Sequence, residues 1–237
     1  MSQPGQNHEK DPRWTAVDTY TTSHLHSSPS STPQPSTLQH ALDASAKAGL
    51  PDIAVSASQG KYLQLTARLA RATKILEVGT LGGYSTLWLA TAGPDVHVTS
   101  VEVDPHHAHV ARTNIESAGL QDRVDVRLGA GLDVLAQLAQ EVGEGKRDRF
   151  QFVFIDADKQ NNWNYVDIAL GMCESGACVI VDNVVRKGKL AKDIDDPGVV
   201  GARRVVENVG KDQRLDGVVL QTVGEKSYDG FLLAVVK

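Results

Sequence analysis

Lys74-Ile75-Leu76-Glu77-Val78-Gly79-Thr80-Leu81-Gly82-Gly83-Tyr84-Ser85 reads as a short apolar run, a turn holding three glycines, and the opening of a helix. Such a corner suits an anion or a ribose, because glycine lets backbone approach a ligand and the helix N-terminus offers free N–H groups. From residue 60 onward the alternation continues. Strands are expected at 74–78, 97–103, 123–128, 150–156 and 177–182, and helices at 84–92, 105–118, 132–142 and 162–173. Each helix is long enough to cross back over a sheet, so the pattern is α/β, doubly wound and mostly parallel. Residues 218–223 and 231–236, separated by the turn-rich 224–230, predict an antiparallel C-terminal hairpin.

Residues 1–58 differ from 59–237. Within 27–37 every residue but Gln34 is Ser, Thr or Pro, a composition that resists regular structure. It separates two weak helices, at 13–24 and 38–48, read as an N-terminal arm packed on the main domain. Ser56 followed by Gln59 has the form of a capping box opening a helix over 60–70.

At 237 residues, 41% apolar and 22% charged, the chain is large enough to bury a core without staples. A formal charge of −5 offers no general attraction to nucleic acid or anionic lipid. The first five residues lack a charged or apolar leader, and no run of about 18 apolar residues occurs. Two cysteines, Cys173 and Cys178, lie in apolar sequence and are expected to be buried thiols of a reducing compartment. The expectation is a soluble, cytoplasmic protein with a small-molecule partner.

A dinucleotide fingerprint would need glycine where Leu81 stands. An acid two residues before Gly79, with Gly83-Tyr84-Ser85 opening the helix, is instead the spelling of S-adenosylmethionine binders. Glu102 closes the second strand 19 residues after Gly83, where an acid can hold two ribose hydroxyls. Asp104 before Pro105 is an N-cap. The plainer alternative is that the glycines only make a tight connection.

Two apolar runs stop on polar oxygen donors: Phe152-Val153-Phe154-Ile155-Asp156-Ala157-Asp158-Lys159 and Val179-Ile180-Val181-Asp182-Asn183. If these strands are neighbours, about 4.8 Å apart, Asp156, Asp182 and Asn183 converge as three hard oxygen donors for Mg²⁺ or another divalent cation. A vicinal diol could take open positions on that ion, and Lys159 could accept the proton of a metal-acidified hydroxyl. Singly, each residue is more ordinary: a strand-end Asp is usually a turn residue, and a lone lysine usually solvated. His106, His107 and His109 read as solvated at the start of a polar helix, and Trp88 as packing.

Taken together, Glu77-x-Gly79-x-x-x-Gly83-Tyr84-Ser85, Val101-Glu102-x-Asp104, Ile155-Asp156-Ala157-Asp158-Lys159, Asp182-Asn183 and Asp229-Gly230-Phe231-Leu232-Leu233-Ala234 resemble the cation-dependent, S-adenosylmethionine-dependent O-methyltransferases of the catechol and caffeoyl-coenzyme A type. The resemblance runs from about Arg13 to Lys237. It implies a class I methyltransferase fold, Rossmann-like, with a seven-stranded sheet ending in an antiparallel hairpin, and commonly a homodimer. By position it assigns Asp156, Asp182 and Asn183 to the metal and Lys159 to deprotonating a phenolic or catechol-like acceptor. Glu77, Gly79, Thr80 and Ser85 would hold the amino-acid end of the cofactor, Glu102 the ribose, and Val55 the methionine moiety. Gly131 would contact the adenine through its backbone, with Ala157 and Asp158 beside that ring and Asp156 near the methyl-donating end. The family often has tyrosine three residues past the lysine, where this chain has Asn162 followed by Trp163. The segment 186–199 lies where the family has its substrate loop.

Two other classes compete. A non-catalytic S-adenosylmethionine-binding protein is disfavoured by the intact Asp156, Lys159, Asp182 and Asn183, and an NAD-dependent oxidoreductase by Leu81. Nucleic-acid methylation lacks both positive charge and an Asn/Asp-Pro-Pro-aromatic motif for a flipped base.

Overall fold

The computed structural model describes residues 11–28, 31–192 and 194–237. The reading of the first five residues therefore lies outside the described residues. The elements run α1 (Pro12–Leu25), α2 (Pro35–Lys47), α3 (Ala57–Leu69), β1 (Lys74–Val78), α4 (Tyr84–Ala90), β2 (His97–Glu102), α5 (Pro105–Ser117), β3 (Val124–Leu128), α6 (Gly131–Gly143) and β4 (Phe150–Ile155). After these come α7 (Asn162–Leu170), β5 (Cys173–Val181), α8 (Pro197–Lys211), β6 (Leu215–Val223) and β7 (Tyr228–Val236). Two 3₁₀ turns, Lys159–Asn161 and Arg186–Ala191, follow β4 and β5.

The seven strands lie in the order β3-β2-β1-β4-β5-β7-β6. The first five are parallel to one another, while β7 runs antiparallel to both β5 and β6. The expected class I architecture is thus present, with the strand order reversing between β1 and β4, where a doubly wound sheet opens a ligand crevice. The central strands read as continuous apolar runs because both their faces are covered. In β4, Val153 and Ile155 pack toward α6, α7 and α8, while Phe152 and Phe154 join the core under α3, α4 and α5, which also takes Trp88.

Local chemistry sets the element ends. Asp104 accepts hydrogen bonds from the His106 and His107 N–H groups, with Pro105 at the first helical position. Ser56 caps α3 through the Gln59 N–H. The reciprocal half of a capping box is absent among the described residues, for the Gln59 side chain turns to the Asp182 carboxylate instead. The Ser/Thr/Pro stretch is shorter than its composition implies, because Pro35 starts α2, where a missing N–H costs nothing. Buried Gln64 pins the loop before it by donating to the Thr32 carbonyl at 2.6 Å.

Several boundaries differ from expectation; the hairpin strands, for example, begin three residues early, at Leu215 and Tyr228. Helix α7 stops at Leu170 rather than Cys173, and β5 begins at Cys173 rather than Ala177, because Cys173 pairs with Phe150 across a bulge. Segment 186–199, read as loop, runs into the unforeseen α8. That helix opens on an Asp-Pro pair like α5: the Asp196 carboxylate accepts from the Val199 N–H at 3.0 Å. Among the described residues no helix is long and apolar enough to cross a membrane.

Helix α8 approaches the turn after β4 so closely that a Cβ on Gly201 would lie 2.1 Å from the Lys159 carbonyl oxygen, whereas one on Gly210 meets nothing within 4 Å. Gly201→Ala should therefore destabilise the fold by about 1–3 kcal/mol in urea denaturation, while Gly210→Ala should be neutral or stabilising by up to about 1 kcal/mol. Equal effects would contradict the close approach.

Candidate active site

The carboxyl ends of β1, β2, β4 and β5 open onto one cavity of about 760 Å³. Its floor is the glycine turn. Gly79 has φ +102° and a Cβ there would lie 2.1 Å from the Asp156 carbonyl oxygen, so the turn after β1 and the end of β4 can meet only over a glycine. Leu81, where a dinucleotide site would have glycine, holds φ +51°. Its N–H and that of Thr80 donate to Glu102 Oε2 at 2.8 and 3.2 Å. The other Glu102 oxygen accepts from the Val103 and Asp104 N–H groups, each at 2.9 Å. Glu102 therefore buckles the turn to the end of β2 from within the cavity wall.

Of the residues selected from sequence, Val55, Gly79, Thr80, Ser85, Glu102, Gly131, Asp156, Ala157, Asp158, Lys159 and Asn183 line this cavity; Glu77 and Asp182 stand behind its wall. Glu77 is fully buried under the turn. It accepts hydrogen bonds from Ser85 Oγ at 2.6 Å and from Thr86 Oγ1 and Ser100 Oγ at 2.5 Å each. Burial nevertheless pushes its carboxyl up to about 7, against the pull of those three hydroxyls. Glu77 meets the cavity through Ser85.

On the opposite rim the register pairs Ile155 with Val181, so the next residues, Asp156 and Asp182, end adjacent strands. The neighbour relation on which the convergence of oxygen donors depended is present. Lys159 Nζ donates to Asp156 Oδ1 at 2.5 Å, with the lysine side chain 13% exposed. Asp182, 4% exposed, accepts the Asn183 N–H at 2.8 Å. Burial first, and the Asp156 charge second, push the Asp182 carboxyl up to about 7; Lys159, the Asn183 N–H and Gln59 oppose this. Asn183 has φ +56°, a region asparagine enters more readily than most residues.

Among the described residues no group of three His, Cys, Asp or Glu is placed to hold a metal. Asp156 and Asp182, at the ends of adjacent strands, and the following Asn183 offer side-chain oxygens as the candidate donors. Such a set fits a hard divalent cation.

Several wall residues escaped the sequence reading. His107, read as solvated, lines the cavity with Nδ1 3.8 Å from Glu102 Oε1. It stands five residues after Glu102, so only the turn through Asp104 and Pro105 brings it back. Tyr84, Asn161 and Tyr165 also line the cavity. Tyr165 follows Asp158 by seven residues, two helical turns, a spacing that could have flagged it. The expected burial of Trp88, Cys173 and Cys178 holds, and burial pushes both thiols up to about 12.

A glycine turn, an acid at the end of β2 and a cavity at the switch point of a seven-stranded sheet with an antiparallel last hairpin define a class I methyltransferase. The O-methyltransferase family profile matches residues 27–235. An Aspergillus flavus protein named O-methyltransferase imqG is 49% identical over 235 residues, covering 98% of this chain and 94% of its own. A catechol O-methyltransferase of Mycobacterium tuberculosis is 48% identical, covering 84% and 88%. The crystal structure of an O-methyltransferase from Bacillus cereus in complex with SAH superposes with TM-score 0.89 at 46% identity, covering 95% and 99%. The chain belongs to this family of S-adenosylmethionine-dependent O-methyltransferases.

The buried Glu77 carboxyl has a pH consequence. Between its ordinary 4.5 and about 7 the folded chain holds a proton the unfolded chain has released, so folding stability falls as pH rises through that window. Glu77→Gln removes this slope. Its denaturation midpoint relative to wild type should be higher at about pH 8 than at about pH 5; a pH-independent difference would contradict the assignment.

Proposed function

We propose that the protein transfers a methyl group from S-adenosylmethionine to a hydroxyl of a small catechol-like or phenolic acceptor, with a divalent cation such as Mg²⁺ held by Asp156, Asp182 and Asn183. The observation that carries this reading is the single cavity joining the glycine turn to the Asp156–Lys159 pair. The name of the Mycobacterium tuberculosis relative supports the acceptor class.

In this reading Gly79, Thr80 and Ser85 hold the amino-acid end of the donor and Glu77 fixes Ser85 from below. Glu102 takes the ribose, Val55 the methionine chain, and Gly131, Ala157 and Asp158 surround the adenine. The cation, when bound, lowers the pKa of an acceptor hydroxyl and orients it. Lys159 stands beside the same rim, largely shielded from water; as a free amine it would take the hydroxyl proton and become the ammonium that donates to Asp156. The acceptor oxygen forms its bond to the methyl carbon as the carbon–sulfur bond breaks, the electron pair staying on sulfur to leave neutral S-adenosylhomocysteine. Holding both reactants in one cavity supplies much of the rate through alignment.

The homodimer implied by the resemblance and a cytoplasmic setting belong to the same proposal. Edge strand β6, with Val218, Leu220 and Val223 exposed, supports the first; two free, buried thiols support the second.

Purified protein with donor, Mg²⁺ and a panel of catechols should release methylated product by mass spectrometry, and a chelator should abolish it. Lys159→Ala should lower kcat about 10²–10⁴-fold with the donor still bound. Chelator-insensitive transfer would overturn the metal role, and an undiminished Lys159→Ala enzyme the base.

A further inference from the structure

The Asp229-Gly230 pair in the closing motif of the chain takes no part in the function described so far. The β5–β7 ladder ends where Val181 pairs with Leu232, one residue short of the carboxylate rim. Contact between the two segments continues past it. The Val184 N–H donates to the Gly230 carbonyl at 2.9 Å, the Arg186 N–H to Asp229 Oδ1 at 2.8 Å, and a Cβ on Gly188 would lie 3.4 Å from Tyr228 Cε1. Alternate residues of the outgoing chain are thus met by successive residues at the start of β7. Position 230 has room for glycine alone, since a Cβ there would lie 2.3 Å from the Leu220 carbonyl oxygen and 2.6 Å from Val185 Cγ2.

The backbone held in this way is one that needs holding. Arg186, Lys187 and Gly188 have φ of +54°, +56° and +77°, a left-handed region that residues with side chains enter reluctantly. Half-buried Asp229 meets the first of them, and the same Oδ1 also accepts the Gly230 N–H at 2.9 Å. One oxygen therefore ties the turn to the hairpin. Further along, Arg203 of α8 donates through Nε to the Leu190 carbonyl at 3.3 Å and through Nη2 to the Lys192 carbonyl. The Arg186 and Lys159 charges both act on Asp229, which sets it near the rim. Asn183 is the corner between the last ladder pair and the Val184 anchor, and it lines the cavity. Slack at 184–188 is passed to that corner.

We infer that Asp229 is a positioning residue for the acceptor: through the Arg186–Gly188 turn it fixes the acceptor side of the cavity, while the donor end stands without it. This rests on the acceptor reading proposed above. The separation follows from the fold. The donor turn is built on β1 and β2, locked over Gly79 and buckled by Glu102, whereas the segment after β5 is tied by Asp229 at one end and by Arg203 at the other. Losing the Asp229 carboxylate frees a turn that prefers another conformation, and the wall at Asn183 moves with it.

Hydrogen–deuterium exchange of segment 184–192, calorimetric affinity for S-adenosylhomocysteine and acceptor KM, all on the full-length protein, test this together. The acceptors are catechol, caffeic acid and 3,4-dihydroxybenzoic acid, with KM read on whichever wild type methylates fastest. Asp229→Ala should speed exchange over 184–192 and raise acceptor KM, each about threefold to thirtyfold, with S-adenosylhomocysteine affinity within about twofold of wild type. Asp229→Asn, whose amide oxygen can still accept both N–H groups, should restore most of that loss. Arg203→Ala, which frees the far end of the same segment, should move exchange and KM in the same direction, and it carries the test if Asp229→Ala does not fold. A lowered melting temperature with unchanged acceptor KM would make Asp229 a residue of the fold alone and overturn the inference, as would donor affinity falling in step with KM; the methyl-transfer reading survives either result. A wild type that methylates none of the three compounds would overturn the acceptor reading, and this inference with it.

Discussion

Parallel pairing of β4 with β1 on one side and β5 on the other is the constraint on which the site depends. The Asp156 N–H donates to the Val78 carbonyl at 2.8 Å, and the Asp182 N–H to the Ile155 carbonyl at 2.9 Å. These two bonds extend the ladders one residue past the apolar runs and bring the glycine turn and both carboxylates to one rim. A shift of one residue would turn each acid to the opposite face. Gly79 locks the arrangement, because any larger residue there would push the turn away from Asp156.

Two acidic groups sit in low-dielectric surroundings as a result, and the chain treats them differently. Glu77 is surrounded by hydroxyls that rotate to suit either protonation state, so it is a structural peg under Ser85. Asp182 has a backbone N–H, a like-charged neighbour and a lysine already bonded to that neighbour. Its environment remains short of positive charge. This contrast distinguishes a carboxyl that serves the fold from one suited to a cation, and it is the physical basis of the proposed division of labour.

Much of this was readable in the chain. Apolar runs at 152–155 and 179–181 had to be buried strands, and their abrupt stops on Asp156 and Asp182 marked the rim. Strand adjacency was not readable from the runs themselves, since nothing in Val179–Val181 says which strand lies beside it; that condition is met only by the parallel pairing of β4 with β5. Residues brought to the site by tertiary folding were also hidden. Gln59 looked like half of a capping box, yet its side chain serves Asp182. His107 looked like a solvated helix-start residue, yet the bend at Asp104 returns it to the cavity. Helix α8 was concealed by the charged segment before it, although Asp196-Pro197 carried the same start signal as Asp104-Pro105.

As proposed, Asp156, Asp182 and Asn183 would hold one divalent ion independent of any acceptor. Binding of Mn²⁺, followed by electron paramagnetic resonance on full-length wild type and Asp182→Asn, tests it most directly. One ion per wild-type chain is expected, with an affinity at least about tenfold weaker in the variant. Equal binding by the two proteins, or no binding by wild type, would contradict it.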